Sequence, residues 1–180
     1  PGGTAHWTFT GGTNYEDESG SVEIKINKAT PVVTVTGGTF TYDGNSHPAT
    51  ATTAGVGGNN VAGTFSFTYN GSSTEPVNAG TYAVVASFTS ADGNYNNASG
   101  GSTITIDKAD AVINVSGGTY TYNGQAWGAH GAATSVTGQD LSGLLNLGEK
   151  FTNVPGGTAN WIFPGDLNHN AKGGSVAIDI

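Results

Sequence analysis

The chain has 180 residues, of which 30 are Gly and only 10% are charged, and it contains neither Met nor Cys. The missing Cys excludes disulfides, thiol catalysis and thiolate metal sites, while the scarcity of helix formers such as Met, Lys and Glu argues against a helical fold. With a formal charge of −8 and five basic residues that are all Lys, the chain has no guanidinium for bidentate phosphate contacts, and nucleic acid is a poor partner.

At 36% hydrophobic, with seven Tyr, seven Phe and three Trp, the chain has enough apolar material for small cores and does not read as disordered. No window approaches the roughly 20 apolar residues of a membrane span. Pro1 begins no signal peptide, so any targeting or anchoring segment is expected outside this chain.

Residues 1–27 open on a two-residue alternation, the period of a half-buried strand. The stretch PGGTAHWTFTGGTNYEDESGSVEIKI at 1–26 aligns without gaps with PGGTANWIFPGDLNHNAKGGSVAIDI at 155–180, an offset of 155 − 1 = 154. Next, KATPVVTVTGGTFTYDG at 28–44 aligns with KADAVINVSGGTYTYNG at 108–124, an offset of 108 − 28 = 80. Val33 and Val35 thus correspond to Ile113 and Val115, and Phe40 and Tyr42 to Tyr120 and Tyr122. Between the strands lie Asp43-Gly44, Asn70-Gly71, Asp92-Gly93 and Asn123-Gly124, dipeptides that supply positive φ in tight turns.

Further along, Asn78-Ala79-Gly80-Thr81-Tyr82 leads into the alternating run Ala83 to Phe88, the pattern of a tyrosine corner opening a late strand of an immunoglobulin-like sandwich. The equivalent places at Ala5 and Ala159 lack the Tyr, and Trp7 and Trp161, two residues on, are expected to fill that volume in the core. Residues 139–151, with the leucine-rich patch, suit one short helical turn. The expected fold is all-β: tandem Ig-like β-sandwich repeats of about 75–80 residues, with a β-grasp-like or other small mixed sheet as the alternative. The expected division is the C-terminal part of a repeat at 1–27, a complete repeat at 28–107 and a complete, divergent repeat at 108–180. Two strands cannot close a sandwich, so the 1–27 segment is expected to need strands supplied from elsewhere.

Lys28-Ala29-Thr30-Pro31, Thr41-Tyr42-Asp43-Gly44, Asn78-Ala79-Gly80-Thr81-Tyr82 and Asn94-Tyr95-Asn96-Asn97-Ala98, leading into Ile104-Thr105-Ile106-Asp107-Lys108-Ala109, resemble the MBG or YDG-type repeats of very long bacterial surface and secreted proteins. The resemblance covers 28–107 closely; the last repeat departs from it, with Asn123 in place of Asp43 and no AGTY segment. It implies an extracellular Ig-like stalk or adhesin module, and that family has no catalytic residues to carry over.

Read for chemistry, the sequence offers little. His6, His47, His130 and His169 fall in no HxH or HExxH spacing and are expected at the surface or in turns; no catalytic constellation is recognisable, so an enzyme is not expected. Glu16, Asp17 and Glu18 form the single carboxylate cluster, a candidate calcium site built from those oxygens with Asp92, Asn94 or backbone carbonyls in the analogous loop, since calcium takes six to eight hard oxygens; a solvated acidic turn is the alternative. Trp127 takes the place of His47 in the repeat alignment, set among Gly and Ala, and is the candidate contact for a glycan or a cell-surface partner. Lys28 and Lys108 recur at the unit junctions, with Asn14, Asn94 and Asn168 near the final strands; these suit either solvated linkers or, less simply, Lys–Asn cross-links. The expected role is a non-catalytic structural or adhesive module of an extracellular, cell-surface or filament-forming bacterial protein. Its partners would be neighbouring repeats, with head-to-tail or lateral assembly, or alternatively a carbohydrate bound through multivalency.

Overall fold

A computed structural model describes residues 2–180; Pro1, which aligns with Pro155, lies outside the described residues. The fold is all-β. Among the described residues there is no α-helix, so a grasp around a helix does not form, and the strands arrange as in a β-sandwich. Thirteen strands follow one another: β1 (Gly3–Phe9), β2 (Glu18–Ile24), β3 (Val32–Thr36), β4 (Gly38–Thr41), β5 (Thr50–Ala54), β6 (Gly63–Tyr69), β7 (Gly80–Ser90), β8 (Ala98–Asp107), β9 (Val112–Ser116), β10 (Gly118–Thr119), β11 (His130–Thr134), β12 (Gly156–Phe163) and β13 (Lys172–Asp179). No helix of the described residues is long and apolar enough to cross a membrane.

The sheets are β1-β2, β3-β5, β4-β8-β7-β6, β11-β9 and β10-β13-β12. A Gly-Gly step splits the first long strand of a repeat in two: β3 joins β5 while β4 runs parallel to β8, and β9 joins β11 while β10 runs parallel to β13. The same split thus occurs at Gly37-Gly38 and at Gly117-Gly118, as the 80-residue offset predicts.

Two compact units result. One comprises residues 1–35, 51–67 and 85–101, the other residues 36–50, 68–84 and 102–180. In the first, Val61, Ala86 and Phe88 are buried, Phe65 lies against Phe88 with ring centroids 5.1 Å apart, and the Tyr95 hydroxyl accepts from the Val56 N–H at 2.9 Å. In the second, alternation along β12 buries Ala159 and Phe163, and β13 buries Ile178. Phe163 packs with Ala111, Ala133 and Leu141; Ala159 and Ile178 pack with Ala129, Val115, Tyr120, Trp127, Leu147 and Phe151. The leucine-rich segment contains the expected short turn, a 3-10 turn at Ser142–Leu144. Its Leu141 is buried and its Leu145 and Leu147 are drawn onto the two clusters, while Asn146 bridges Ile162 of β12 on the edge away from β13, as β6 pairs with β7 on the edge away from β8.

Candidate functional site

The tyrosine corner forms. Tyr82 Oη donates to the Asn78 carbonyl at 2.8 Å, tying the start of β7 to the chain four residues upstream. Against this corner lies the loop at 166–170. Asn168 Oδ1 accepts from the Ala79 N–H at 2.8 Å and its Nδ2 donates to Asn78 Oδ1 at 3.0 Å, while Tyr42 meets the His169 ring edge-on at 5.5 Å. One side chain therefore uses both ends of its amide to clamp the corner, which fixes position and orientation together.

The loop itself is built around Asp166. Its Oδ1 accepts from the N–H of Asn168 and of His169, both at 2.7 Å, and contacts His169 Nδ1 at 2.8 Å. Burial works against the charged carboxylate, but the hydrogen bonds from the His169 ring and the two backbone N–H groups outweigh it and hold its pKa below the ordinary value. The far nitrogen, His169 Nε2, lies 3.0 Å from Ser135 Oγ. Of the four histidines expected at the surface or in turns, His169 lies in this loop but is buried.

Ser135, His169 and Asp166 have the connectivity of a nucleophile, base and orienting acid, which sequence reasoning did not bring together. Their surroundings give another account. Ser135 is itself buried, and its Oγ also accepts from the Thr137 N–H at 3.2 Å and lies 3.0 Å from Thr137 Oγ1. In the preceding repeat Tyr95 stands where His169 stands, and its hydroxyl meets the equivalent turn at Val56. Tyr and His make the same tether between the loop and the turn, a structural task that both can perform.

Trp127 also occupies a place prepared by the repeat. Its ring stacks on Tyr120 with centroids 4.3 Å apart and planes at 12°; His47 stacks on Phe40, the equivalent pair, at 4.3 Å and 19°. Trp127 and Phe151 exchange backbone hydrogen bonds, each 2.8 Å. Trp127, the candidate partner contact, is therefore half-buried against the core; the stack, seven residues apart across a turn, is what sequence spacing did not reveal. It still lines a cleft of about 320 Å³, with Ala126, Gly128, His130, Leu147 and Lys150, and its buried Nε1 has no hydrogen-bond partner. That orphan donor is the one unsatisfied polar side-chain atom found buried among the described residues.

Trp7 and Trp161 recur in a second role. Trp7 is paired with Gly20 and Trp161 with Gly174, and each indole lies over its glycine so closely that a Cβ there would come within 2.7 or 2.6 Å of Cζ2. An aromatic laid over a cross-strand glycine restores the packing the glycine lacks. Trp161 shares a strand face with buried Ala159 and Phe163 but is itself only half-buried. Trp7 is 47% exposed, so the expectation that it is a core residue is corrected.

Glu16, Asp17 and Glu18 lie exposed, and Asp17 Oδ1 accepts from the Gly11 N–H at 2.8 Å. Among the described residues no three His, Asp or Glu side chains converge as a metal site would need. Asp43 and Asn123 accept from the N–H two residues on, at 2.9 and 3.0 Å, ahead of Gly44 and Gly124 at φ of 82° and 80°. The change from Asp to Asn therefore preserves the turn. The unit junctions are pinned, not solvated. Ala29 bridges Tyr95 and buried Ala109 bridges His169, with Asn96 and Asn170 reaching Thr30 and Asp110. Lys108 Nζ donates to the Asp166 carbonyl, and the Asn168 amide is taken by the clamp, so the two are not aligned for a cross-link.

None of the curated proteins matches the chain. Residues 31–110 match the family model described as the MBG domain, and this segment, bearing the corner and its turns, is accordingly an MBG-type repeat.

Proposed function

We propose that the chain is a non-catalytic structural or adhesive repeat array of an extracellular bacterial surface or filament-forming protein, with units at 28–107 and 108–180 preceded by the end of another at 1–27. The MBG-type segment supports placement in a surface protein. The observation that carries the reading is the Asn168 clamp on Asn78 and Ala79. A chain whose task is reach or load-bearing needs its successive units coupled, and a two-ended amide contact with an aromatic edge beside it couples them directionally. The test is small-angle scattering with amide exchange on the intact chain and on Asn168→Ala. The variant is expected to broaden the distribution of distances between the 28–107 and 108–180 repeats and to expose the Ala79 N–H to exchange, with each repeat still folded; unchanged profiles would refute the coupling.

A second reading, carbohydrate binding, is favoured by one observation: the unpaired Trp127 N–H beside a cleft. Sugar hydroxyls accept such a donor while the ring offers a stacking face. Glycan-array binding that is lost in Trp127→Phe, which retains the ring and removes the donor, would establish it.

A further inference from the structure

Trp127 and His47 hold the same place in successive repeats, and their backbone partners show which residues face them. The His47 N–H donates to the Pro76 carbonyl at 3.0 Å and the Trp127 N–H to the Phe151 carbonyl at 2.8 Å. Pro76 and Phe151 are therefore equivalent, and so are the residues before them, Glu75 and Lys150. The charge at this position is reversed between the repeats. In the 28–107 repeat Glu75 Oε2 accepts from Ser46 Oγ at 2.6 Å. In the 108–180 repeat Ala126 stands in place of Ser46, and Lys150 lines the cleft beside Trp127.

A glycine lays Lys150 in place. Gly128 replaces Pro48 of the preceding repeat, and a Cβ there would come within 2.8 Å of Lys150 Cγ, so its absence lets the lysine stem lie against the backbone next to Trp127. The charge is also left unneutralised: the ion pairs among the described residues are His47–Asp43 and His169–Asp166, and Lys150 is in neither. The other titratable side chain of the cleft is His130, whose Nε2 lies 3.1 Å from Tyr120 Oη and which carries positive charge or none. In a chain with 13 acidic residues against five lysines, no carboxylate lines this cleft.

We infer that the cleft takes an acidic sugar residue, with its carboxylate or sulfate group against Lys150 Nζ and its ring against Trp127 and Leu147. The inference rests on the second reading above, that this cleft holds a carbohydrate, and names the charge of that carbohydrate. A lysine ammonium pairs with an anion through a charge-assisted hydrogen bond, which is stronger than a neutral one. The overall charge of −8 does not oppose this at contact, because salt screens exposed charges beyond about 8–10 Å. A cleft of about 320 Å³ with an aromatic ring beside the cation suits a compact ring bearing one acid group. An acidic peptide is the poorer occupant, since peptides are held along extended grooves or free strand edges, and here the Trp127 and Phe151 backbones are already bonded to each other.

The test is titration of the full chain, followed by NMR through its tryptophan indole N–H resonances. The probes are a galacturonate trimer, its methyl ester, a sulfated galactose trimer and a glutamate tetrapeptide. The galacturonate or the sulfated trimer is expected to shift the Trp127 resonance and to bind at least about tenfold tighter than the methyl ester, with affinity falling as salt is added; the tighter of the two identifies the acid group. Lys150→Glu, which restores the charge of the preceding repeat, is expected to remove that preference with an unchanged melting curve, and Lys150→Gln to reduce it. Equal binding of the methyl ester, unaffected by Lys150→Glu, would overturn the inference and leave the cleft a neutral-sugar site. Equal binding of the glutamate tetrapeptide would overturn the assignment to a sugar. If no probe moves the Trp127 resonance the inference fails, and a glycan array that is also blank removes the reading beneath it.

Discussion

Residues 1–26 and 155–180 are nearly the same peptide in two environments, and the comparison separates what a strand pair specifies for itself from what its neighbours add. Register, turn placement and the Trp-over-Gly contact are common to both, so they belong to the hairpin. Burial of the inward-facing positions differs, with Phe9 and Ile24 exposed where Phe163 and Ile178 are buried, so it belongs to the half-repeat that covers β12 and β13. The loops differ as well. The C-terminal loop is organised by Asp166, at whose position the N-terminal loop has Gly12, with Tyr15, 75% exposed, in place of buried His169.

The sharpest way to test the contrast is to truncate one equivalent residue on each side. Phe163→Ala is expected to cost about 3–5 kcal/mol as a core truncation, and Phe9→Ala less than about 1 kcal/mol, both read from denaturant midpoints; equal costs would mean that the hairpin face is covered in solution. Removing part of the cover comes next. Trp127→Ala is expected to cost about 2–4 kcal/mol, because the stack on Tyr120 and the contact with the Ala159 and Ile178 cluster are lost together. A loss below about 0.5 kcal/mol, within the usual range for surface positions, would return Trp127 to the surface. The glycine-covering tryptophans should show a smaller difference of the same sign: about 1–3 kcal/mol for half-buried Trp161→Ala and about 1 kcal/mol or less for Trp7→Ala.

Most of the fold was legible in the sequence because its signals are local. The two-residue alternation at Val84, Ala86 and Phe88, the turn glycines and the gapless offsets each involve residues close in sequence or repeated in kind, and the corner at Tyr82 bonds only four residues back. The site contacts were not legible because they join distant residues of unlike chemistry. Ser135 meets His169 across 34 positions, Asn168 meets Asn78 across 90, and nothing in either segment names the other. The packing of Trp127 was not legible for a related reason: alignment with His47 identified the substitution but not the shared stacking partner.

Acid should also distinguish the two loops. The Asp166 pKa is depressed in the folded state, so its contribution to stability is present above the unfolded value and is lost as pH falls through the folded one. The 155–180 region is therefore expected to loosen below about pH 4, and Asp166→Asn to flatten that dependence; the 1–26 loop, with Gly12 at this position, should show no such step by residue-resolved exchange. The smallest effect is expected at Glu16, Asp17 and Glu18. If these carboxylates take calcium, the ion must raise the melting temperature of the wild-type chain and not that of the triple Gln/Asn variant, and their dispersed, exposed placement limits the gain to about 0.5 kcal/mol. A larger shift would point to ligands from elsewhere.

The split first strand has a mechanical consequence. In each of the two longer repeats the short segment after the Gly-Gly step, β4 or β10, runs parallel to the last strand, β8 or β13, and the ladder is extended by Tyr42 to Asp107 in one and Tyr120 to Asp179 in the other. A pull on the two ends of such a unit draws two parallel neighbours in opposite directions along their own axes. The hydrogen bonds between them are then loaded in shear, all at once, instead of being peeled open one by one from a hairpin end. Resistance to stretching is thereby set by the rate at which that small patch ruptures and not by the equilibrium stability of the whole sandwich.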